Sequence, residues 1–425
     1  MFTLAYLLVL LIAWPAVAVL LLVSGRWRRG LGERLGGGPR RDGDRPCLWV
    51  HGASVGEVTL ARGFVAAWRQ AHPDWDVAVS AFTPTGREIA RKNFPDCTVC
   101  LFPLDFKTCI RRAFRRIRPS AVVLIELEVW PNFMRVAKSR GVPVVVVNGR
   151  ISGRSVRRYR WLPFRSTFRR VTQFCAQSEE FAARAREAGF DPASVTVTGN
   201  MKFDGLPEPP PAESRGALSG RLGIAEGERV LVGGSTHDPE ERILLAAYEE
   251  LKAAIPSLRL VLVPRHPERA KDVALAAAEA GFETVLKTAV DRGETPPPDA
   301  VVVVDTVGEL RSIWALAEVA YVGGSLTPRG GQNIMEPAAL GRPVVFGPVM
   351  DNFREARDIL LAAGGCVQVS GREALLPALL RLFQDRAAAA AMGDCAAAAF
   401  RGRQGATRRN VEALDAVLAL RRSDP

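Results

Sequence analysis

Short runs of β-branched residues recur along this chain with helix-like stretches between them, and that alternation restricts the fold more than any other feature. The first set comprises Cys47-Leu-Trp-Val50, Val77-Ala-Val-Ser80, Val99-Cys-Leu-Phe102, Ala121-Val-Val-Leu-Ile125, Val144-Val-Val-Val147, Phe174-Cys-Ala176 and Val195-Thr-Val-Thr198. Strands separated by helical crossovers form parallel sheets with helices on both faces. Pro207-Glu-Pro-Pro-Pro211 breaks the series as a semi-rigid linker. A second set follows in Val230-Leu-Val232, Leu258-Arg-Leu-Val-Leu-Val263, Val301-Val-Val-Val304, Val319-Ala-Tyr-Val322 and Val344-Val-Phe346. A chain of 425 residues exceeds what one core usually serves, so the expectation is two Rossmann-like α/β domains facing one another across a cleft. The expected segments are 1–24, 25–206, a linker at 207–215, 216–405, and a C-terminal helix at 406–425 able to pack back on the first domain.

Residues 2–23 carry no charge, and their length meets the roughly 20 residues a helix needs to span the hydrocarbon core. Positive charge comes after the run, at Arg26, Arg28 and Arg29, which suits an uncleaved anchor with the bulk of the chain on the cytoplasmic side. A buried helix at a domain face is the other reading. The net charge of +12 is unevenly spread. In Ile110-Arg-Arg-Ala-Phe-Arg-Arg-Ile-Arg118 the apolar residues fall at helical spacing and arginines fill the opposite face. Residues 150–170 interleave Arg154, Arg157, Arg158, Arg160, Arg165 and Arg169 with Tyr159, Trp161, Phe164 and Phe168. Such surfaces beside an anchor suit anionic headgroups or a phosphorylated lipid; single-stranded nucleic acid would select a similar surface, and the anchor favours lipid.

The seven cysteines have no framework spacing, and Cys97-Thr-Val-Cys100 lacks the second pair that a zinc site would need. None of the four histidines has HxxxH spacing, and Asp42, Asp44, Asp74 and Asp76 precede strands. Metal-independent chemistry without a cofactor is expected.

Several strand ends carry candidate chemistry. His51-Gly-Ala-Ser-Val-Gly-Glu57 lies at the first strand-to-helix junction, where open α/β sheets bind ligands, and makes Glu57 a candidate general base, with His51 and Ser54 shaping the turn. Leu124-Ile-Glu-Leu-Glu-Val-Trp-Pro131 sets Glu126 and Glu128 after a buried strand, within reach of the same cleft as Glu57, and at least one of them must be solvated, paired with an arginine or functional. Lys202, in Gly199-Asn-Met-Lys-Phe-Asp204, is placed to balance an anionic substrate. In the second half, Val232-Gly-Gly-Ser-Thr-His-Asp-Pro-Glu240 reads as a glycine-rich turn with Asp238 as N-cap and free N–H groups for an anion. Pro264, Arg265 and His266 end the next strand, with Arg265 suited to phosphate. Val307, Gly308 and Glu309 form another junction, and Gly330-Gly-Gln-Asn-Ile-Met-Glu336 a third, where Asn333-x-x-Glu336 fits helix capping as naturally as ligand binding.

Taken in order, His51 to Glu57, Thr83-Pro-Thr-Gly86, Glu126-Leu-Glu-Val-Trp-Pro131, Lys202-Phe-Asp204, Ser235-Thr-His237, Pro264-Arg-His-Pro267, Gly308-Glu309 and Gly330-Gly-Gln-Asn333 resemble the bacterial 3-deoxy-D-manno-octulosonic acid (Kdo) transferases. The resemblance runs over nearly the whole chain, anchor included. It implies a GT-B glycosyltransferase moving Kdo from CMP-Kdo to a lipid A precursor (lipid IVA) at the cytoplasmic face of the inner membrane. The first domain would hold the lipid and the second the nucleotide. The resemblance makes Glu57 the proton acceptor and gives Glu126 and Lys202 to transition-state support. It assigns Pro264, Arg265, Val307, Gly308, Glu309, Asn333, Ile334, Met335 and Glu336 to CMP contact. Val307 stands where the family pattern has methionine, which points to a backbone contact there. The implied partners are CMP-Kdo, the lipid acceptor and anionic lipids, with no nucleic acid. A sugar-nucleotide epimerase of the same architecture is the alternative; it needs neither the anchor nor the arginine–aromatic segment. A membrane-tethered nucleic-acid-binding protein would leave Glu57 and the Asn333–Glu336 residues idle.

Overall fold

The computed structural model describes residues 30–159 and 162–423, without the side chains of residues 158, 162–164, 422 and 423. The apolar run at 2–23 and Trp161 of the arginine–aromatic segment lie outside the described residues. No helix among the described residues is long and apolar enough to cross a membrane. The chain forms two compact units, one of residues up to Gly205 together with Arg403 onward, the other Leu206–Gly402.

The first unit is built on seven strands: β1 Cys47–Gly52, β2 Asp76–Ala81, β3 Thr98–Leu101, β4 Ala121–Ile125, β5 Val144–Gly149, β6 Gln173–Ala176 and β7 Val195–Val197. All pair in parallel in the order β3-β2-β1-β4-β5-β6-β7. Both faces of this sheet are covered, which is why its strands read as continuous apolar runs instead of alternating ones. Trp49 on one face packs with Phe102, Phe114 and Phe133, its ring centroid 5.3 Å from that of Phe133, and donates its indole N–H to Ser80 Oγ at 2.8 Å. Leu48 and Val50 on the other face meet Val58, Phe64 and Trp68 of helix Val55–Ala71 and Leu414 of helix Ala406–Ser423. Asp204 holds that C-terminal helix in place by accepting the N–H groups of Gly405 (2.6 Å), Ala406 (3.3 Å) and Thr407. The Ile110–Arg118 pattern becomes helix Lys107–Ile117, with Ile110, Ala113, Phe114 and Ile117 buried as the spacing predicts and Cys109 buried beside them.

The second unit carries β8 Arg229–Thr236, β9 Leu258–Pro264, β10 Thr284–Leu286, β11 Val301–Val303, β12 Val319–Val322, β13 Val344–Phe346 and β14 Cys366–Gln368. Its parallel order is β10-β11-β9-β8-β12-β13-β14. β10 and β14 are additions to the sequence reading. Each is a short, half-buried strand at a sheet edge whose residues, Thr284-Val-Leu286 and Cys366-Val-Gln368, form no continuous apolar run.

In each unit the strand order reverses about a central strand, leaving β1 beside β4 in the first and β8 beside β12 in the second. The carboxyl ends at such a switch point open onto a crevice between crossovers that leave in opposite directions.

Candidate active site

Glu57 follows β1 and Glu126 follows β4, so the two carboxylates flank the switch point of the first sheet. Gly52 makes the turn between β1 and the next helix possible: a Cβ there would lie 3.0 Å from the carbonyl carbon of Glu57 and from Val58 N. Ser54 is the N-cap of helix Val55–Ala71 and its hydroxyl oxygen accepts the Glu57 N–H at 3.2 Å. The Glu57 carboxylate returns the contact, accepting from the Ser54 hydroxyl at 2.9 Å and the Ala53 N–H at 2.8 Å. This is a capping box, and Ser54-x-x-Glu57 announces it in the sequence. The box fixes the carboxylate while leaving each oxygen a further acceptor position. Burial raises the proton affinity of Glu57, and the charge of Glu126 adds to it, against the lowering effect of the Ala53 and Ser54 bonds.

Glu126 adopts φ = 61°, so the chain turns out of the strand at this residue, and its N–H remains bonded to Val147 O at 3.0 Å. A non-glycine residue in this region marks local strain, which concentrates at functional sites. Among the described residues Arg150 pairs with its carboxylate, at 3.8 Å. Glu128 shows the larger perturbation. It is partly buried, accepts the Trp130 indole N–H at 3.0 Å, and has its pKa pushed up to about 7 by burial, with Glu57 and Glu126 contributing. Trp130 stacks over Phe82 with an interplanar angle of 4°. Three carboxylates therefore share one electrostatic environment.

His51 is fully buried and stacks on Phe102 at 3.8 Å, with Nδ1 3.0 Å from Ser80 Oγ. Burial pushes its pKa down to about 3, so the ring is neutral and a turn-shaping part of the core. Lys202 is exposed on the turn Met201–Phe203 after β7, and it forms no ion pair among the described residues. Asn148, itself at φ = 53° after β5, ties that turn across the sheet by accepting the Met201 N–H at 2.9 Å.

The segment read as a glycine-rich turn departs from that reading: Gly233 and Gly234 are strand residues of β8, and the turn itself is His237-Asp238-Pro239. Helix Glu240–Ala254 starts after Pro239, Asp238 makes no cap, and Glu240 is completely buried. Its carboxylate accepts from His237 N–H (3.0 Å), Gly324 N–H (2.7 Å), Ser325 N–H (3.0 Å), Leu326 N–H (2.9 Å) and the Tyr321 hydroxyl (2.9 Å). The anion at this helix start is thus the protein's own. A Cβ on Gly323 would fall 2.5 Å from both Ser235 O and Thr236 Cα, so the turns after β8 and β12 close on one another only with glycine there. Burial lowers the pKa of His237, and Gln332 Nε2 lies 3.3 Å from its Nε2.

Around this core the CMP candidates occupy successive strand ends. Pro264 closes β9, and Arg265 is exposed just beyond it, anchored through its N–H to Thr236 O at 3.0 Å and without an ion pair among the described residues. Val307 is 85% exposed and Gly308 has φ = 91°, so this turn presents its backbone. Glu309 is held by Lys287 Nζ at 3.0 Å and by the Thr306 hydroxyl. Lys287 is nearly inaccessible and also binds Asp291 at 2.6 Å; no sequence spacing pointed to it. At the third turn the capping register shifts. Helix Met335–Ala339 has Ile334 at its N-cap position, and Asn333, one residue earlier, accepts the Met335 N–H at 3.0 Å. Glu336 is its second residue, is less acidic than usual through burial, and lies 3.9 Å from Arg311. Ile334 is buried, and Met335 lies at the edge of the core. No group of three or more His, Cys, Asp or Glu side chains able to hold a metal occurs among the described residues.

Residues 29–205 match the sequence profile of the 3-deoxy-D-manno-octulosonic-acid transferases. The chain is 34% identical over 380 residues to a 3-deoxy-D-manno-octulosonic acid transferase of Bordetella pertussis, covering 87% of this chain and 86% of that one. It is 30% identical over 423 residues to the protein of that name from Haemophilus influenzae, covering 96% and 97%. Among solved structures, the UDP-GlcNAc 2-epimerase of Neisseria meningitidis aligns with a TM-score of 0.57 over 87% of this chain and 99% of that one, at 14% identity, a likeness of fold.

Proposed function

The chain belongs to the Kdo transferase family, a family of glycosyltransferases, and from that premise we propose that it moves Kdo from CMP-Kdo to a lipid A precursor (lipid IVA) during lipopolysaccharide assembly, with Glu57 as general base. The observation that carries this reading is the convergence of Glu57, Glu126 and Glu128 on one switch point, with Glu57 oriented by its capping box. In the proposed step the Glu57 carboxylate takes the proton of an acceptor hydroxyl while that oxygen bonds to the anomeric carbon of Kdo. The bond from that carbon to the CMP phosphate oxygen breaks, and CMP leaves as an anion. A raised proton affinity suits the task, since general bases work best with a pKa near the operating pH. Glu126 and Lys202 are assigned to the developing charge of the sugar.

The first unit takes the lipid and the second the nucleotide. Arg265, exposed and without a carboxylate partner among the described residues, suits the departing phosphate, and the turn at 307–309 offers its backbone to CMP. The sugar carboxylate of Kdo and the acceptor phosphates are the anions that the basic first unit would favour. Residues 2–23 anchor the protein at the inner membrane with both units on the cytoplasmic side, a reading supported by the charge-free run and the arginines after it.

Labelled CMP-Kdo incubated with the full chain and lipid A precursor tests the proposal. Label in the lipid fraction is the expected result. Label that stays in free nucleotide sugar, whatever the acceptor, would remove it and leave the epimerase reading.

A further inference from the structure

Helix Lys107–Ile117 buries one face in the core and turns Arg111, Arg112 and Arg115 outward, where Arg140, from the end of the neighbouring helix Pro131–Ser139, joins them. Together with Leu35, Thr108 and Cys109 these residues line a cavity of about 610 Å³ that contains no carboxylate. None of the four guanidinium groups forms an ion pair among the described residues; Arg140 lies over the Phe114 ring at 5.7 Å and reaches Arg111 O at 3.5 Å. Arg116 and Arg118 of the same run differ. They bind Gly38 O, Gly43 O and Asp44, and so hold the preceding loop. The outward arginines are thus more than a solvated helix face: a fourth cation from another element converges on them, and no protein anion answers it.

We propose that this cavity binds the phosphate group of a membrane phospholipid headgroup and seats the first unit on the bilayer surface. The inference rests on the membrane attachment proposed above and gives it a place in the fold. Arginine forks match phosphate oxygens in pairs, and the cavity volume falls within the range of small-ligand sites. Leu35, exposed at the rim, offers an apolar contact beside the charges. It lies on the turn Glu33–Gly37, which packs closely on the arginine helix: a Cβ on Gly36 would meet Cys109 O at 2.2 Å and Arg112 Cβ at 2.7 Å. That turn follows closely after the apolar run, Leu35 coming 12 residues after Val23, so even a fully extended connection keeps the cavity within about 40 Å of the end of the anchor. The cavity flanks the sheet on its helical layer, whereas Glu57 and Glu126 lie at the strand ends. It is a seat for the protein, separate from the reacting groups.

The test uses the full chain and its R111Q/R112Q/R115Q/R140Q variant in sedimentation with phosphatidylcholine vesicles, with and without phosphatidylglycerol. An apolar anchor binds both vesicle types alike and the other basic segments are the same in both proteins, so the part of the phosphatidylglycerol increment that the variant loses reads the cavity. The expected result is a smaller increment in the variant, reduced by up to about fivefold for each arginine removed, with binding to pure phosphatidylcholine and the far-ultraviolet dichroism unchanged. An increment equal to that of the unaltered chain overturns the proposal. Displacement of the unaltered chain by inorganic phosphate, but not by sulfate at equal ionic strength, would also overturn it in favour of a free-phosphate site. Kdo transfer to detergent-dispersed acceptor is measured in parallel and should be unchanged in the variant. Its selective loss there would assign the cavity to the acceptor instead. Absence of transfer by the unaltered chain, with the lipid increment intact, would count against the proposed function alone.

Discussion

Replacing Glu57 by Gln separates the two jobs its carboxylate is positioned to do. As third residue of its helix, Glu57 accepts from Ala53 N–H and Ser54 Oγ, and glutamine serves this position of a capping box as glutamate does. The variant loses a negative charge beside a helix N-terminus, worth about 0.3–1 kcal/mol, and it is relieved of burying that charge near Glu126. These terms oppose, so stability should change by no more than about 1 kcal/mol. An amide cannot take the proton of an attacking hydroxyl, however, and loss of general-base help should slow transfer by roughly 100- to 10,000-fold, which is about 3–5 kcal/mol of barrier. Initial rates of label transfer to lipid, run beside urea denaturation followed by circular dichroism, measure both effects. Ser54→Ala is the companion variant. It removes the N-cap, at about 1 kcal/mol, and one of the bonds that lowers the Glu57 pKa. Because the base must be ionised, the acidic limb of its pH–rate profile should move to higher pH. Near-normal turnover by the glutamine variant at every pH, or a fall in rate that merely tracks the unfolded fraction, would reduce Glu57 to a capping residue.

Two further substitutions probe neighbouring carboxylates. Glu128 holds its proton up to a pKa of about 7, whereas an unfolded glutamate releases it near 4.3, so its contribution to stability is complete below about pH 4.3 and is lost as pH rises toward 7. Glu128→Gln should flatten this slope and gain about 1–2 kcal/mol at pH 8, the full shift being discounted for partial exposure; the same denaturation midpoint change at pH 5 and pH 8 would rule the account out. Glu240→Gln sets an amide NH₂ against some of the five donors its carboxylate now satisfies, and should destabilise the second unit by about 2–5 kcal/mol. Limited proteolysis and denaturation check this, and an unchanged unfolding transition would show that the turns after β8 and β12 are held by other contacts.

The sheets were legible because both their faces are covered. A strand such as Ala121–Ile125, buried on each side, is apolar at every position, and no competing pattern obscures it. β10 and β14 escaped because Thr284-Val-Leu286 and Cys366-Val-Gln368 are half-buried edge strands without a continuous apolar run, whereas the edge strand β7 is announced by the β-branched Val195-Thr-Val-Thr198. In the candidate site, separation along the chain divides what was legible from what was not. Glu57 and Ser54 are three residues apart, and their reciprocal bonds follow from local spacing alone. Lys287 and Glu309 are 22 residues apart and meet only because β11 pairs beside β10, so nothing in either segment predicts the contact.

Glu240 shows why a glycine-rich turn before a helix is an incomplete signal for an anion site. Free N–H groups and a helix start favour negative charge, and the same physics applies to an internal carboxylate. Here Glu240, the first residue of its own helix, reaches back to His237 N–H and across to the N–H groups of Gly324, Ser325 and Leu326, so the donors that would cradle a phosphate are already bonded. A ligand phosphate at this strand edge must look elsewhere for compensation. Arg265 leaves β9 one strand away, with its backbone tied to Thr236 and its side chain exposed. The buried carboxylate fixes the scaffold, and the neighbouring arginine is left to meet the ligand. On this reasoning Arg265, more than the turn after β8, should govern how strongly the second unit holds a nucleotide phosphate.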